Sequence, residues 1–267
     1  MVHSGVVAAS WRRGSGVALA ALVWLAGCTT LPDTERVALV HAAGQVDSNQ
    51  CSEAVPRLDR MIATYPDAPE IAEAHYIRGL CRYRAGQIEA AVQDFEAAIR
   101  KSQRPELTAH ARASLGTINY QQGRWTRAAD YYREAVRDLP DEPPTDQVLY
   151  HAAVAMQRAG AWRDASVQLG RILRKFPNSS VADAARQLAA WPHQYFAIQL
   201  GAFASAEAAA KTMEEYRARG IDAYQENIAR GGTALWGVLL GRYGNYADAM
   251  AALPRAKEVQ SGAFIIP

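Results

Sequence analysis

The residues of this 267-residue chain that could do chemistry are its three Cys and six His residues, and their spacing argues against catalysis. Five of the His residues lie beyond residue 40, and none forms a His-x-x-x-His pair or lies near a Cys or carboxylate at the spacing of metal ligands. The chain also lacks a Gly-x-Ser-x-Gly motif, a phosphate-binding loop and a dinucleotide-binding motif. We therefore predict a protein that is not an enzyme and that needs no metal or cofactor.

Cys28 could carry a different chemistry, the acylation of its thiol at a membrane surface. Two Arg residues at positions 12 and 13 precede an apolar run over residues 17–24, and this run is too short to span a bilayer. It leads into Leu25-Ala26-Gly27-Cys28, which resembles the bacterial lipobox, where a peptidase cuts before an acylated Cys. Residues 1–27 are therefore predicted to be a lipoprotein signal peptide. The alternative is an apolar segment with a chance Cys.

The lipobox resemblance also implies a location. The mature chain would begin at Cys28 and continue as a lipidated tether over residues 28–34, with acyl chains such as palmitate contributing about 0.8 kcal/mol per buried CH₂. Thr29 stands where an Asp would signal retention in the inner membrane. We therefore expect an anchored protein on the periplasmic face of the outer membrane of a Gram-negative cell.

The charge balance argues against one class of ligand. The whole chain has 29 basic and 27 acidic side chains, and removal of residues 1–27 takes away two Arg and no acidic residue. A mature chain without net charge has no global basic field to attract a phosphate backbone. We expect no nucleic-acid binding.

A 37-residue repeat organises the middle of the chain. Gly86, Gly123 and Gly160 recur at this interval, and a Pro recurs at a second position of the same repeat unit. Each unit has the pattern of two helices joined by a Gly turn, with the second helix ending near the Pro. We predict about four such units over residues 35–190.

The repeat resembles the tetratricopeptide repeat, in which small residues let two helices pack closely and aromatic residues fill the remaining gap. Gly79 and Phe95 fall on signature positions in unit two, as do Gly116 and Tyr132 in unit three. Unit four instead has Ala153 where the first signature Gly belongs. The resemblance implies an all-α solenoid, and the common period of that family is 34, so a period of 37 predicts longer turns between units.

Tetratricopeptide arrays usually bind peptides on the concave face formed by their first helices. Transferring that face to this sequence gives a candidate partner groove of Tyr76, Tyr83, Arg84, His110, Tyr120, Tyr150 and Arg158. Aromatic side chains with two Arg would suit an extended protein segment that carries a carboxylate. The alternative is that these Tyr residues pack between helices. We expect a protein partner of unspecified identity.

Cys51 and Cys81 are predicted to form a disulfide. The second helix of unit one and the first helix of unit two should run antiparallel about the turn at Pro66, which places the two Cys opposite each other. A periplasmic compartment favours disulfides, and closing this loop would contribute about 3.5 kcal/mol by chain entropy. The alternative is a pair of buried free thiols.

The pattern changes after residue 192. The predicted elements are a strand over 195–200, a helix over 205–219, a strand over 222–228, a turn at Gly231-Gly232, a strand over 235–240, a helix capped by Asn245 and a strand over 264–266. Residues 200–205 and 240–245 share a Leu-Gly, an aromatic residue and a helix cap, so the segment reads as a duplicated half-domain of order βαββαβ. Two helices would cover one sheet face and leave the other free to bind a ligand.

Residues 193–267 resemble the SPOR (sporulation-related repeat) domain. The matching stretches are Phe196–Phe203 and Trp236–Tyr243. The resemblance implies binding to peptidoglycan glycan strands stripped of their stem peptides. The predicted architecture is thus multidomain: an all-α tetratricopeptide solenoid followed by a small α+β ferredoxin-like SPOR domain.

Strand alternation gives the candidate glycan-binding residues, which are Tyr195, Gln199, Ala202, Leu235 and Gly237. Gln199 matches the glycan-contacting Gln of the family, although a plain solvated strand residue is the alternative. Leu235 and Gly237 depart from the outward aromatic and basic residues of that family. Trp236 should point toward the helices, whereas a one-residue slip in register would expose it.

These features favour a lipid-anchored periplasmic adaptor. Its SPOR domain would bind peptidoglycan at the division septum, where amidases expose denuded glycan, and its repeats would recruit a protein partner during cell division. The alternative is an outer-membrane lipoprotein of the tetratricopeptide type that acts in envelope assembly, or in regulation of cell-wall synthesis, without binding glycan directly.

Overall fold

A computed structural model describes residues 30–48, 50–230 and 233–267. The signal peptide and the lipidated Cys28 predicted at the N-terminus, and the turn predicted at Gly231-Gly232, lie outside these residues. None of the helices in the described ranges has the length and apolar content that crossing a membrane would need.

Residues 33–189 fold into helical hairpins stacked side by side. Their helices are α1 (Asp33–Asp47), α2 (Cys51–Thr64), α3 (Ile71–Arg84), α4 (Ile88–Lys101), α5 (Pro105–Gln121), α6 (Trp125–Asp138), α7 (Thr145–Arg158), α8 (Trp162–Lys175) and α9 (Ala182–Ala189). The second helix of each hairpin buries one apolar stripe at helical spacing, as with Ala128, Tyr132 and Ala135 in α6. The helical solenoid predicted from the repeat is confirmed, and α9 caps its C-terminal end against α8.

The 37-residue period is set by the turn inside each hairpin. Gly86, Gly123 and Gly160 each lie two residues after the end of α3, α5 and α7 and have φ angles of 73°, 68° and 83°. Only Gly adopts this left-handed conformation without steric cost, so each one ends its helix. Longer turns between hairpins are predicted. Six residues separate α2 from α3 and α6 from α7, whereas three separate α4 from α5, because α5 begins early at Pro105, a residue suited to the first helical turn.

The signature positions pair a small residue on the first helix of a hairpin with a large residue on the second. The four slots hold Ala42 with Leu58, Gly79 with Phe95, Gly116 with Tyr132, and Ala153 with Leu169, and all eight residues are buried. A Cβ on Gly116 would lie 2.8 Å from Tyr132 Cδ1. Aromatic gap-fillers therefore require Gly, whereas the two hairpins with Leu accept Ala.

The ordered array begins earlier than predicted. Leu31 is 1% exposed and belongs to the core of the first hairpin, and its backbone N–H donates to Glu70 Oε2 over 3.4 Å. The tether predicted for residues 28–34 is therefore too long, because an apolar side chain at position 31 packs into the core.

A disulfide joins the first two hairpins. Cys51, the first residue of α2, is bonded to Cys81 in α3, and their Cα atoms are 5.2 Å apart. Cys81 lies in the same core cluster as Leu31. The predicted pairing of these two Cys residues is confirmed in the structure.

A buried carboxylate holds the Arg side chain that makes a second link between these hairpins. Asp94 in α4 is 2% exposed and lies 3.0 Å from His75 Nδ1, 2.6 Å from Arg78 Nη2 and 2.8 Å from Arg82 Nη1. Arg78 also donates to Asp59 in α2. Burial by itself opposes ionisation of Asp94, but the hydrogen bonds from His75 and Arg78 hold its pKa below the ordinary value.

The C-terminal part is an α+β domain. Its elements are β1 (Phe196–Phe203), α10 (Ala206–Ala218), β2 (Ala223–Arg230), β3 (Thr233–Tyr243), α11 (Tyr246–Val259) and β4 (Phe264–Ile266). The four antiparallel strands are ordered β2-β3-β1-β4. Ile198, Leu200 and Val238 point to the core between the sheet and the two helices. The Ser205 and Asn245 side chains accept hydrogen bonds from backbone N–H groups of the helices that follow them.

The second face of the sheet is not free, contrary to expectation. Ala197 and Leu239, on the face away from α10 and α11, are fully buried, and Gln199 is 6% exposed. The end of α9 and the two residues after it, Ala190 and Trp191, line a cavity together with Gln199. The repeat array therefore contributes a partial cover to this face.

Candidate ligand-binding surfaces

A cavity of about 210 Å³ lies between the second face of the sheet and the end of α9. The array side contributes Gln187, Leu188, Ala190 and Trp191, and the strands contribute Gln199, Asn227, Ile228, Phe264 and Ile266. We call this cavity the sheet groove. It spans the sheet from β2 to β4. Gly237 of β3, which presents no side chain, lies beside Ile228.

Gln199 is the polar centre of the sheet groove. Its backbone pairs with Leu239 on one side and Phe264 on the other, which fixes the side chain on the groove face. In the part of the chain that the structure describes, the Gln199 side-chain amide has no hydrogen-bond partner. The amide atoms are not among the fully buried side-chain atoms that lack a partner, so they reach the open groove. A ligand hydroxyl in the groove would satisfy both its donor and its acceptor.

An aromatic cluster extends the same face. Tyr195 stacks on His193 with ring centroids 4.8 Å apart, and the Arg242 guanidinium lies 4.3 Å from the ring centroid of Tyr224 and 5.7 Å from that of Tyr195. His193 Nε2 is 3.2 Å from a carboxylate oxygen of Glu226. Burial raises the pKa of Tyr224, so its hydroxyl stays neutral at physiological pH and donates to the Gly241 carbonyl.

The predicted glycan-binding residues share one face of the sheet but not one environment. Gln199 lies in the sheet groove, Tyr195 in the aromatic cluster, and Ala202 pairs with Gly237 at the far end of β1. A Cβ on Gly237 would lie 3.1 Å from Ile228 Cδ1, so packing explains this Gly. Leu235 pairs with Ile228 and is half-buried.

The orientation of Trp236 follows the alternation. Its side chain packs against the core on the helix side of the sheet. The one-residue slip in register that would expose this ring does not occur in the structure.

The sequence prediction missed Arg242 as a ligand-face residue. Side chains alternate between the two faces along a strand, so Gly237 and Leu239 on that face predict position 241 there and position 242 on the opposite face. Gly241 has a φ of 73° and interrupts the alternation, so Arg242 returns to the side of Tyr195. In the sequence, a Leu-Gly pair followed by a basic residue near the end of a strand indicates such an interruption of the alternation.

The N-terminal half of the predicted partner groove is open. Tyr76 and His110, with ring centroids 6.3 Å apart, line a cavity of about 320 Å³ together with Leu80. Tyr83 packs against the core of the second hairpin, as the alternative for the Tyr residues expected, and Arg84 is exposed. Neither of these two lines the cavity.

The C-terminal half of that groove is occupied by the chain itself. Tyr120, Tyr150 and Arg158 line a cavity of about 220 Å³ whose opposite wall consists of Phe196, Tyr246, Ile265 and other C-terminal residues. The three array residues are therefore brought together, but they face the α+β domain rather than solvent. The expectation of a single continuous groove for an external partner is wrong for this half.

The two parts of the chain meet in a packed interface. Trp162, 7% exposed, donates from Nε1 to the Gly244 carbonyl over 3.0 Å, and its ring lies 4.8 Å from that of Phe196. The Arg158 guanidinium lies between two rings, 4.2 Å from Trp125 and 4.5 Å from Tyr246.

Two Trp residues at one position of the repeat mark this interface in the sequence. Trp125 and Trp162 occupy the same slot of the 37-residue unit, the first residue of a second helix, where unit two has Ile88. Large aromatic residues in a slot that is normally peripheral indicate that something covers them.

Known protein families match both parts of the chain. The tetratricopeptide repeat family matches residues 39–105 and 82–143, and a second tetratricopeptide repeat family matches residues 147–179. The SPOR domain family matches residues 192–267. No curated protein matched the chain.

These families fit the described structure. Tetratricopeptide repeats are protein-interaction modules and SPOR domains are peptidoglycan-binding modules, so both are binding rather than catalytic domains. Among the described residues, no three His, Cys, Asp or Glu side chains cluster as metal ligands would. The chain thus consists of tetratricopeptide repeats followed by a C-terminal SPOR domain.

Proposed function

We propose that this protein is a lipid-anchored periplasmic adaptor that binds denuded peptidoglycan glycan and recruits a protein partner to it. The observation that carries the proposal is the Gln199 side chain, which is 6% exposed, makes no side-chain hydrogen bond to the described residues, and lies in a groove on the second face of the sheet in a SPOR domain. A sugar hydroxyl supplies the donor and acceptor that this amide lacks.

The aromatic cluster supports the same ligand. The Tyr224 hydroxyl and the Arg242 guanidinium can hydrogen-bond sugar oxygens, and aromatic faces suit the apolar face of a pyranose ring. Such a surface can follow a glycan strand beyond the groove. Because amidases expose stripped strands where the septum is split, the adaptor would concentrate at division sites.

The partner site is the open half of the array groove. Tyr76 and His110 form its aromatic wall, and Glu73 and Arg104 pair over 3.0 Å at its rim. An extended protein segment would lie along this half, because the other half is covered by the SPOR domain.

The lipid anchor supports a membrane-proximal arrangement. Leu31, three residues after Cys28, is already part of the packed core, and three extended residues span about 10 Å. An acylated Cys28 would therefore hold the first hairpin at the surface of the outer membrane. Cell fractionation tests this: a Cys28→Ser variant should leave the membrane fraction, and retention there would contradict the anchor.

Sedimentation with sacculi tests the glycan part. A chain of residues 30–267 is mixed with sacculi before and after amidase digestion, and the pelleted fraction is measured. We expect digestion to increase pelleting several-fold, and Gln199→Ala to reduce it, while Gln147→Ala, an exposed Gln on the array, pellets like the parent chain. If amidase digestion does not increase pelleting, the denuded-glycan proposal is wrong and the assembly role without glycan binding is favoured.

A further inference from the structure

The sheet groove has a wall that the SPOR domain does not supply. Gln187 and Leu188 of α9 and Ala190, the residue after it, line the groove, and all three precede the SPOR family match at residues 192–267. Building on the proposed function, we infer that α9 is part of the glycan site, which is thus a composite of the repeat array and the SPOR domain and takes an uncharged sugar residue.

The side chains that line the groove define the ligand class. Two of them are amides, Gln187 and Gln199, and the others are aromatic or aliphatic, with no ionisable side chain among them. Asn227 lies at the edge of the groove, and its register partner Trp236 points to the helices. Amides exchange hydrogen bonds with hydroxyl and acetamido groups, while Trp191 and Phe264 add aromatic surface. A charged group would enter a groove in which no described lining side chain is ionisable. The groove therefore favours an uncharged sugar residue of the strand.

The wall is held in place from both sides. Ala185 of α9 is fully buried in the core formed with α7 and α8, and Trp191 Nε1 donates to the Tyr195 carbonyl over 2.8 Å. The hydrogen bond from Trp162 to Gly244 fixes the array against the SPOR domain. A site formed in advance between two fixed bodies loses little conformational entropy when the ligand binds.

The volume limits how much of a glycan strand the groove can hold. At about 210 Å³ it is smaller than the pockets of about 300–1,000 Å³ that enclose drug-sized ligands. The groove would hold a single sugar residue, and the neighbouring residues of the strand would lie on the aromatic cluster around Tyr195.

Two adjacent exposed alanines provide a matched test. Ala190 lines the groove, whereas Ala189, also exposed, does not. Chains of residues 30–267 carrying Ala190→Trp or Ala189→Trp are titrated with denuded glycan strands released from amidase-digested sacculi. We expect Ala190→Trp to weaken binding at least tenfold and Ala189→Trp to stay within twofold of the parent chain. Free stem peptides should not compete.

A second variant covers the case in which Ala190→Trp disturbs folding. Gln187 is exposed, and Gln187→Ala should weaken glycan binding about threefold while leaving the unfolding midpoint unchanged. Parent-like binding by both Ala190→Trp and Gln187→Ala, in a chain that binds glycan, would overturn the composite site alone. Absence of glycan binding by the parent chain would overturn the proposed function itself.

Discussion

Trp162 and Gly244 lie 82 residues apart in the chain and are joined by a hydrogen bond of 3.0 Å from the indole Nε1 to the backbone carbonyl. The backbones approach closely here, because a Cβ on the neighbouring Gly160 would lie 3.1 Å from the same carbonyl oxygen. This contact is half-buried, and the ring of Phe196 packs against it. It fixes the position of the repeat array relative to the SPOR domain. That position places α9 against the sheet.

Graded substitutions at Trp162 measure this coupling. Trp162→Phe keeps the ring against Phe196 but loses the hydrogen bond, so we expect a loss of about 1 kcal/mol of stability. Trp162→Ala also removes the buried ring, and about 3 kcal/mol should be lost. Urea denaturation gives the energies, and hydrogen exchange should quicken in β1 and around Gly244.

The exposed neighbour Arg163 supplies the control for that series. Arg163→Ala should change neither the unfolding free energy nor the exchange rates. Trp162→Ala should also weaken glycan binding, although Trp162 does not line the groove, because the α9 wall loses its fixed position. Unchanged exchange near Gly244 in Trp162→Ala would contradict the coupling.

The buried Asp94 predicts a specific dependence of stability on pH. Its folded pKa is lowered below the unfolded value of about 3.9, so its stabilising contribution is fully present above that value and is lost as pH falls through the folded pKa. The groups that face it are His75, Arg78 and Arg82, and Asp59 pairs with both Arg residues. At pH 7 Asp94→Asn should cost about 3 kcal/mol, because these cations lose their buried partner.

Unfolding measured between pH 7 and pH 3 checks this linkage. The difference between the parent chain and Asp94→Asn should be constant down to about pH 4 and shrink below it. Asp138→Asn, at an exposed acid of α6, is the matched control and should show a small difference throughout. A difference between parent and Asp94→Asn that does not shrink in acid would contradict the role assigned to the carboxylate.

The local features of this fold could be predicted from the sequence, and the contacts between its parts could not. Gly86 and Gly123 mark the hairpin turns, and Asn245 marks a helix start, because each acts on the few residues next to it. Strand parity predicts the face on which Gln199 lies, but its burial depends on α9, and no short-range pattern encodes that packing. The occupied half of the array groove depends likewise on side chains distant in sequence, such as Tyr246, which lies 88 residues after Arg158.

The disulfide should stabilise the first two hairpins by restricting the unfolded chain. Cys51 and Cys81 are 30 residues apart, and a loop of this size contributes about 3.5 kcal/mol. A Cys51→Ser/Cys81→Ser chain should unfold at correspondingly lower urea, with faster hydrogen exchange in α1 to α4. Reductant should lower the midpoint of the parent chain and leave the double variant unchanged. Equal midpoints for the oxidised and reduced parent would rule out this contribution.

In each hairpin, a Gly in the first helix pairs with an aromatic residue in the second, or an Ala pairs with a Leu. We therefore predict that the two residues of such a pair can be substituted only together. Gly116→Ala alone should cost about 2 kcal/mol, because its Cβ would lie 2.8 Å from the buried Tyr132 ring. Tyr132→Leu alone should cost a similar amount, since it leaves a cavity and removes the hydrogen bond between Tyr132 and Thr117.

The double variant Gly116→Ala/Tyr132→Leu recreates the pair that the first and fourth hairpins use. It should be less destabilised than the sum of its single changes, with a coupling energy of about 1–3 kcal/mol in urea denaturation. Gly44→Ala in α1 is the control, since its Cβ would meet no atom within 4 Å, and it should stabilise the chain by up to about 1 kcal/mol. Additive losses in the double variant would mean that Tyr132 does not determine the need for Gly116, whereas strong coupling would explain why a repeat with one period tolerates two different core pairs.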